Sequence, residues 1–158
     1  MDLRIGGREL TQLRRFLSCV APEEGCALLL GDRRNGGSAA GVAAGSADRK
    51  PQVWRLRRIW PCLNVWEPAG ERRRRFAIDP REQLLAQRWS RQRGLEVLGA
   101  AHSHPQTSPL PSVTDRALCF TPGLMLILGR SPGGGSQLGC WWLSERGTAR
   151  RLMWKMED

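Results

Sequence analysis

Both histidines of the chain, His102 and His104, stand at the end of one apolar stretch that has the length of a β-strand. Side chains two residues apart on a strand point to the same face, so the two imidazoles are expected side by side. Asp115 follows His104 after ten intervening residues, which is enough for a loop that folds back. Two imidazoles and a carboxylate, with one position left to water, are the ligand set of a catalytic zinc site. The pattern predicts a strand that ends in a metal centre.

The same residues also fit a purely structural interpretation. Ser112 and Asp115 match the capping box that begins a helix, and the two histidines would then be polar residues at a strand end. The two interpretations are compatible, because a capping serine would hold Asp115 on a rigid first turn. The apolar strand before the pair and the absence of any other histidine favour the metal site.

Apolar segments of strand length alternate with segments of helical periodicity. Strands are predicted over residues 2–5, 26–31, 52–60, 76–78, 95–102, 124–128, 137–143 and 149–154, the last two as a hairpin. Helices are predicted over residues 8–20, 79–93 and 112–120. This order predicts the α/β class, as a three-layer α-β-α sandwich around one mixed sheet. Residues 1–158 are expected to form a single domain, with a flexible Gly/Ala/Ser-rich loop at about 33–50.

The charge of the chain is strongly basic, with a formal net charge of +10 that comes almost entirely from arginine. The densest piece is the run Arg72–Arg75. Three interpretations stay open: a solvated basic surface, a surface for an acidic protein partner, and nucleic-acid binding. No aromatic and basic recognition motif supports the third.

The cysteines and the apolar runs indicate the compartment. The five cysteines include no C-x-x-C pair, which predicts reduced and mostly buried thiols rather than disulfides or a four-cysteine zinc site. No apolar run is long enough for a transmembrane helix, and the N-terminus lacks the apolar core of a signal peptide. We therefore expect a cytoplasmic protein that does not contact the membrane.

Together these features resemble the JAMM (MPN-plus) metalloprotease family, whose signature is a distant Glu followed by H-x-H-x10-D with a Ser three residues before the Asp. His102, His104, Ser112 and Asp115 match the second part. Segments 22–31 and 76–80 are similar to two motifs of the bacterial branch, P-x-E-x-C-G-L-L-x-G and F-x-I-D-P. Asn64 stands at a position where, in that branch, an Asn often follows a Pro. Three features depart from the family pattern: Ala27 in place of Gly, the insertion after Asp32, and the arginine run.

The resemblance implies a role for each matching residue. His102, His104 and Asp115 would bind Zn²⁺, and Glu24 would act as general base on the zinc-activated water and then as acid to the leaving amine. Ser112 would donate a hydrogen bond to the oxyanion. Glu23 is the competing base, and the E-x-C spacing selects Glu24.

The resemblance also implies a fold and a substrate. The fold would be an MPN/JAB domain, cytidine-deaminase-like, with a curved mixed sheet. The activity would be that of a metallopeptidase or isopeptidase acting at the C-terminal tail of a ubiquitin-like or sulfur-carrier protein, and an acidic carrier would suit the arginine-rich surface. Two alternatives stay open: a non-catalytic MPN-type interaction module and a RadC-like, DNA-associated protein. Zinc deaminases are disfavoured because H-x-E and P-C-x-x-C are absent.

Two residues beside the predicted ligands are given structural roles. Ser103 lies between the histidines and is expected to point to the opposite face of the strand. Cys26 is expected to be a packed thiol, with a position near the metal as the alternative.

Overall fold

The computed structural model describes residues 1–35, 52–119 and 121–158. Its strands are β1 (Asp2–Gly6), β2 (Cys26–Asn35), β3 (Gln52–Cys62), β4 (Glu96–Ser103), β5 (Gly123–Arg130), β6 (Ser136–Leu143), β7 (Ala149–Arg151) and β8 (Met153–Glu157). Its helices are α1 (Gly7–Cys19), α2 (Pro80–Arg91) and α3 (Val113–Ala117), with a 3-10 turn at Ala69–Glu71. Within these ranges the strands form one mixed sheet in the order β7-β6-β5-β4-β2-β3-β1-β8.

The sheet is curved and nearly closed. β7 and β8 are separated by a single residue, Leu152, yet they lie at opposite ends of the strand order. β7 pairs with β6, whereas β8 pairs in parallel with β1. The amide of Leu152 donates to the carbonyl of Cys140 at 2.9 Å and so holds the junction. The predicted hairpin of residues 137–143 with residues 149–154 is therefore confirmed for β6 and β7. It is wrong beyond Leu152, where residues 153 and 154 belong to β8 and pair with β1.

Helices cover both faces of the sheet, which confirms the three-layer α/β prediction. Leu13 and Leu17 of α1 are buried in the larger apolar cluster, together with inward residues of six strands. Ala86 of α2 is buried in the second cluster, with Cys26 and Leu28 of β2. Each buried leucine contributes about 1.5–3 kcal/mol through removal of apolar surface from water. None of the helices in the described ranges is long and apolar enough to span a membrane.

Two sequence predictions about segments are corrected. Phe76–Ile78 is not a strand, because the backbone of Ala77 bonds to the loop residues Asn64 and Val65 instead of to the sheet. β2 continues through Asn35 because Asp32 to Asn35 pair with β3, so the loop predicted at 33–50 begins too early. The remainder of that prediction, 36–50, lies outside the described residues.

Candidate metal centre

The strand register brings the beginning of β2 beside the end of β4. Cys26 is the partner of His102 in the antiparallel ladder, so Glu24 and Gly25 lie next to the histidines. The hydroxyl of Ser103 accepts a hydrogen bond from the amide of Gly25 at 2.8 Å, and the Ser103 amide donates to the Gly25 carbonyl at 3.0 Å. Ser103 therefore has the structural position predicted for it, and it ties the two strand ends together.

The loop between His104 and Asp115 folds back over β5 and β6 because two glycines leave room for it. A Cβ at Gly129 would approach the nitrogen of Pro109 to 2.5 Å, and a Cβ at Gly139 would approach its carbonyl oxygen to 2.5 Å. The indole of Trp141 donates to the same carbonyl at 2.9 Å. The close packing fixes the path of the loop, which returns the chain to the end of β4.

Ser112 begins α3 with a capping box that also orients Asp115. The Ser112 hydroxyl accepts from the amide of Asp115 at 3.0 Å, and Oδ2 of Asp115 accepts from the Ser112 amide at 2.8 Å. The capping interpretation is thus confirmed. It leaves the carboxylate of Asp115 on the first turn of α3, facing the histidines.

The three predicted ligand atoms form a compact, buried triangle. Nε2 of His102 and Nε2 of His104 are 3.0 Å apart, and Oδ2 of Asp115 lies 3.2 Å from the first and 3.4 Å from the second. Zinc bonds of about 2.0–2.1 Å at tetrahedral angles separate ligand atoms by about 3.3–3.4 Å. The triangle is close to one face of such a tetrahedron, so the residues present fit a zinc ion with one position open.

The hydrogen bond of His104 determines which of its ring nitrogens faces the triangle. Nδ1 of His104 lies 3.0 Å from the Ser108 carbonyl, which can only accept, so this nitrogen carries a proton and Nε2 faces Asp115. Burial lowers the pKa of His104, but its hydrogen bonds with Asp115 and Ser108 prevail and raise the pKa above its ordinary value. Burial lowers the pKa of His102 below its ordinary value. Burial opposes ionisation of Asp115, but hydrogen bonds from His102 and His104 prevail and hold its pKa well below the usual range.

Phe76 packs face to face on His102. The ring centroids are 4.3 Å apart with an interplanar angle of 21°. Nδ1 of His102 is buried, and it has no hydrogen-bond partner in the described part of the chain. The aromatic ring therefore contributes the orientation that a hydrogen bond to Nδ1 usually provides.

Glu24 lies beside the triangle without belonging to it. Its Oε1 is 4.0 Å from Nε2 of His104, and its side chain is almost fully buried. Burial raises the pKa of Glu24 to about 7; His104 lowers it in part, and Asp115 adds to the rise. Its Oε2 accepts no hydrogen bond from the described residues. A buried carboxyl with a pKa near neutrality and a free oxygen is equipped to accept and return a proton.

Asn64 joins the Glu24 segment to the loop that carries Phe76. Its amide nitrogen donates to the carbonyls of Glu24 at 3.0 Å and Arg75 at 2.9 Å. Its amide oxygen accepts from the backbone of Trp66 at 3.1 Å and Ala77 at 3.2 Å. All four hydrogen-bonding positions of the side-chain amide are used.

Arg72, the first residue of the arginine run, also bonds to the Glu24 segment. The carbonyl of Arg72 accepts from the amide of Glu24 at 2.8 Å, while its guanidinium bonds to the Trp66 carbonyl and to Glu67. Arg73 and Arg74 are exposed. The roles of Arg72 and Phe76 were not predicted, because the backbone bond between Arg72 and Glu24 and the stacking of Phe76 on His102 join residues far apart in the chain and leave no local pattern.

The five cysteines are free thiols, as predicted, although only three are buried. Cys26 packs in the second apolar cluster, and burial raises its pKa to about 12. Its sulfur lies 3.7 Å from the Cys62 carbonyl, and it is not among the clustered ligand atoms. The packed-thiol prediction for Cys26 is confirmed.

The fold and the buried His-His-Asp group define a mixed α/β protein with a candidate metal centre at the end of its central strands. The family model for prokaryotic homologs of the JAB domain matches residues 8–144, and the chain belongs to this family. A desampylase from Haloferax volcanii is 33% identical over 94 residues, which are 60% of this chain and 62% of that protein. The matched region thus spans less than two thirds of the relative's length.

Two solved structures share the fold over almost the whole chain. A protein from Desulfitobacterium hafniense aligns with a TM-score of 0.76 at 24% identity, covering 99% of this chain and 93% of its own. A protein from Salinibacter ruber aligns with a TM-score of 0.62 at 26% identity, covering 98% and 92%.

Proposed function

We infer that the chain is a zinc-dependent peptidase or isopeptidase that acts at the C-terminal tail of a ubiquitin-like or sulfur-carrier protein. One observation supports the inference: the His102, His104 and Asp115 side-chain atoms form a buried triangle whose spacing fits one face of a zinc tetrahedron, beside a carboxyl oxygen of Glu24 that has no hydrogen-bond partner among the described residues. The similarity to a desampylase supports a substrate of the ubiquitin-like class. A non-catalytic module is less favoured, because each residue that the chemistry requires is present in the cluster.

The residues would divide the reaction among them. His102, His104 and Asp115 would hold zinc, which supplies a water with a pKa of about 7 and polarises a carbonyl. Glu24 would take the proton of the attacking water and return it to the leaving amine. The hydroxyl of Ser112 accepts one bond from Asp115 and keeps its own proton, which it would donate to the oxyanion.

A fusion protein tests this function. A model peptide joined after the terminal Gly-Gly of a sulfur carrier is the substrate, and release of the peptide is followed by mass spectrometry. We expect cleavage after the second glycine by the zinc-loaded protein and none after chelation. Persistent failure to cleave this fusion and a matched isopeptide conjugate, by protein that holds zinc, would contradict the proposal.

Ser112→Ala is expected to lower kcat by about 10²–10³-fold, because one oxyanion donor is lost. It should also lower the free energy of unfolding by about 1 kcal/mol, because the cap of α3 is lost. Ser112→Gly separates the two effects, since glycine caps a helix nearly as well as serine but has no hydroxyl. Chemical denaturation and steady-state kinetics measure them. A Ser112→Gly variant with full activity would leave Ser112 only its capping role.

Asn64→Ala is expected to lower kcat by about 10–100-fold with zinc retained, because Glu24 and the Phe76 loop lose their common anchor and small displacements of catalytic groups are costly. The half-buried carbonyl of Glu24 loses its donor as well, at about 1–3 kcal/mol of stability. Glu67→Gln is the control, since it breaks only an exposed ion pair of the same loop. A loss of kcat equal in both variants would argue for a general loosening of the loop.

A further inference from the structure

The outer edge of β3 is covered by a neighbouring strand along only part of its length. β1 pairs with Val53–Leu56 and then leaves the sheet at Gly6, where α1 follows. β3 continues to Cys62 with β2 on its inner side. In the described ranges, no strand pairs with residues 57–62 on the side of β1. Unpaired peptide groups of this kind are a template for an added strand.

The open edge lies in a groove between α1 and β3, which we name the α1–β3 groove. Its volume is about 640 Å³. On the helix the lining consists of exposed residues three or four positions apart, which share a face: Arg8, Gln12, Arg15 and Cys19. On the strand it consists of Arg57 and Pro61, which are exposed, and Ile59, which is buried; Arg57 lies where the register of β3 against β2 shifts. From residue 57 to residue 61 the strand wall is about 13 Å long, which is enough for a short extended segment.

The helix wall of the groove carries two cations that lack a partner. Arg8 and Arg15 are exposed, and within the described ranges neither has a carboxylate oxygen within 4.0 Å. By contrast, Arg57 is bound to Asp32 at 2.8 Å. Arg58, which also lines the groove, places its guanidinium over the ring of Trp89. Among the described residues, Glu9 is the one acidic side chain in the lining. The groove is thus cationic on the side that faces the open strand edge.

We propose that the α1–β3 groove binds an extended, acidic segment of a protein partner, which adds to β3 as a strand in the position that β1 leaves after Leu56. The peptide groups of β3 would fix the backbone of this segment, and Arg8 and Arg15 would select acidic side chains. A nucleic acid fits less well, because single strands need exposed rings for stacking, and Phe16, the one aromatic residue of the lining within the described part of the chain, packs against the core.

The groove is oriented towards the candidate metal centre. Pro61 is the register partner of Ala27, three residues after Glu24. A segment bound along the outer edge of β3 would therefore end level with the part of β2 that leads to Glu24, with β3 between the two. This inference rests on the proposed function only in taking the bound partner to be the substrate. Binding to the groove is measured without catalysis. Failure of peptide binding and failure of cleavage are therefore separate results.

The test is the affinity for a fluorescein-labelled peptide of about ten residues in which glutamate and valine alternate, measured by fluorescence anisotropy on the full chain. The double variant Arg8→Glu/Arg15→Glu is expected to weaken binding about tenfold, since each reversed charge removes an attraction and adds a repulsion. The control is Arg14→Glu/Arg150→Glu, which changes the net charge equally at exposed sites outside the groove lining. It should leave the affinity almost unchanged.

Two further measurements distinguish strand addition from general charge attraction. Methylation of alternate peptide nitrogens should abolish binding if the segment pairs with β3, because it removes the donors of the ladder. Equal weakening in both double variants, or undiminished binding of the methylated peptide, would overturn the proposal. So would a single-stranded oligonucleotide that binds more tightly than the peptide and is weakened by the same groove variant.

Discussion

Replacement of Glu24 by glutamine is expected to lower the rate of cleavage of a carrier fusion by about 10²–10⁴-fold, while the protein still binds zinc. Glutamine has nearly the same shape as glutamate, so the backbone bonds of residue 24 to Arg72 and Asn64 can persist. It cannot accept and return a proton. The loss should therefore appear in kcat, with little change in KM.

Glu23→Gln is the matched control for this variant. Glu23 precedes Glu24 and is more exposed, so its replacement makes the same change of charge one residue away. We expect nearly full activity. Full activity in Glu24→Gln, or equal losses in both variants, would contradict the assignment of the base. Zinc analysis of each protein excludes loss of the metal as the cause.

Removal of zinc is expected to abolish hydrolysis and to lower the melting temperature. A ligand at a hundred times its dissociation constant stabilises a protein by about 2.7 kcal/mol, which for a chain of 158 residues corresponds to about 5–10 °C. The ligands come from the end of β4 and the first turn of α3, so zinc would hold together two elements that nine residues separate. Differential scanning calorimetry with and without a chelator measures the shift.

His102→Ala extends this experiment. Its melting temperature should no longer respond to the chelator, and it should have no activity. Cys26→Ala is the control, because Cys26 is the buried register partner of His102 on the neighbouring strand and is not a ligand. That variant should keep both the zinc response and the activity. A chelator shift that survives in His102→Ala would mean that the stabilising metal binds elsewhere.

The main elements of the fold could be predicted because their signals are local. The apolar stretch before the histidines indicated β4, the amphipathic pattern indicated α1, and the serine three residues before Asp115 indicated the cap of α3. These features depend on residues close together in the chain. The candidate ligands could be predicted for the same reason, since two of them share one strand and the third follows on a capped turn.

The features that could not be predicted depend on partners distant in sequence. The segment of Phe76 has strand-like residues, but Asn64 and Val65 use its backbone groups, and its ring packs on His102. The residue pattern around Leu152 predicts one continuous strand, although the two sides of this junction pair with strands at opposite ends of the sheet order. Neither the curvature of a sheet nor the exchange of bonding partners leaves a periodic pattern in the residues themselves.

Zinc X-ray absorption of the zinc-loaded protein tests most directly whether the atoms of His102, His104 and Asp115 hold a zinc ion. We expect about one zinc per chain with nitrogen and oxygen ligands at about 2.0–2.1 Å, imidazole scattering, and loss of this signal in His102→Ala. Sulfur ligands at about 2.3 Å, or a spectrum that His102→Ala leaves unchanged, would contradict it.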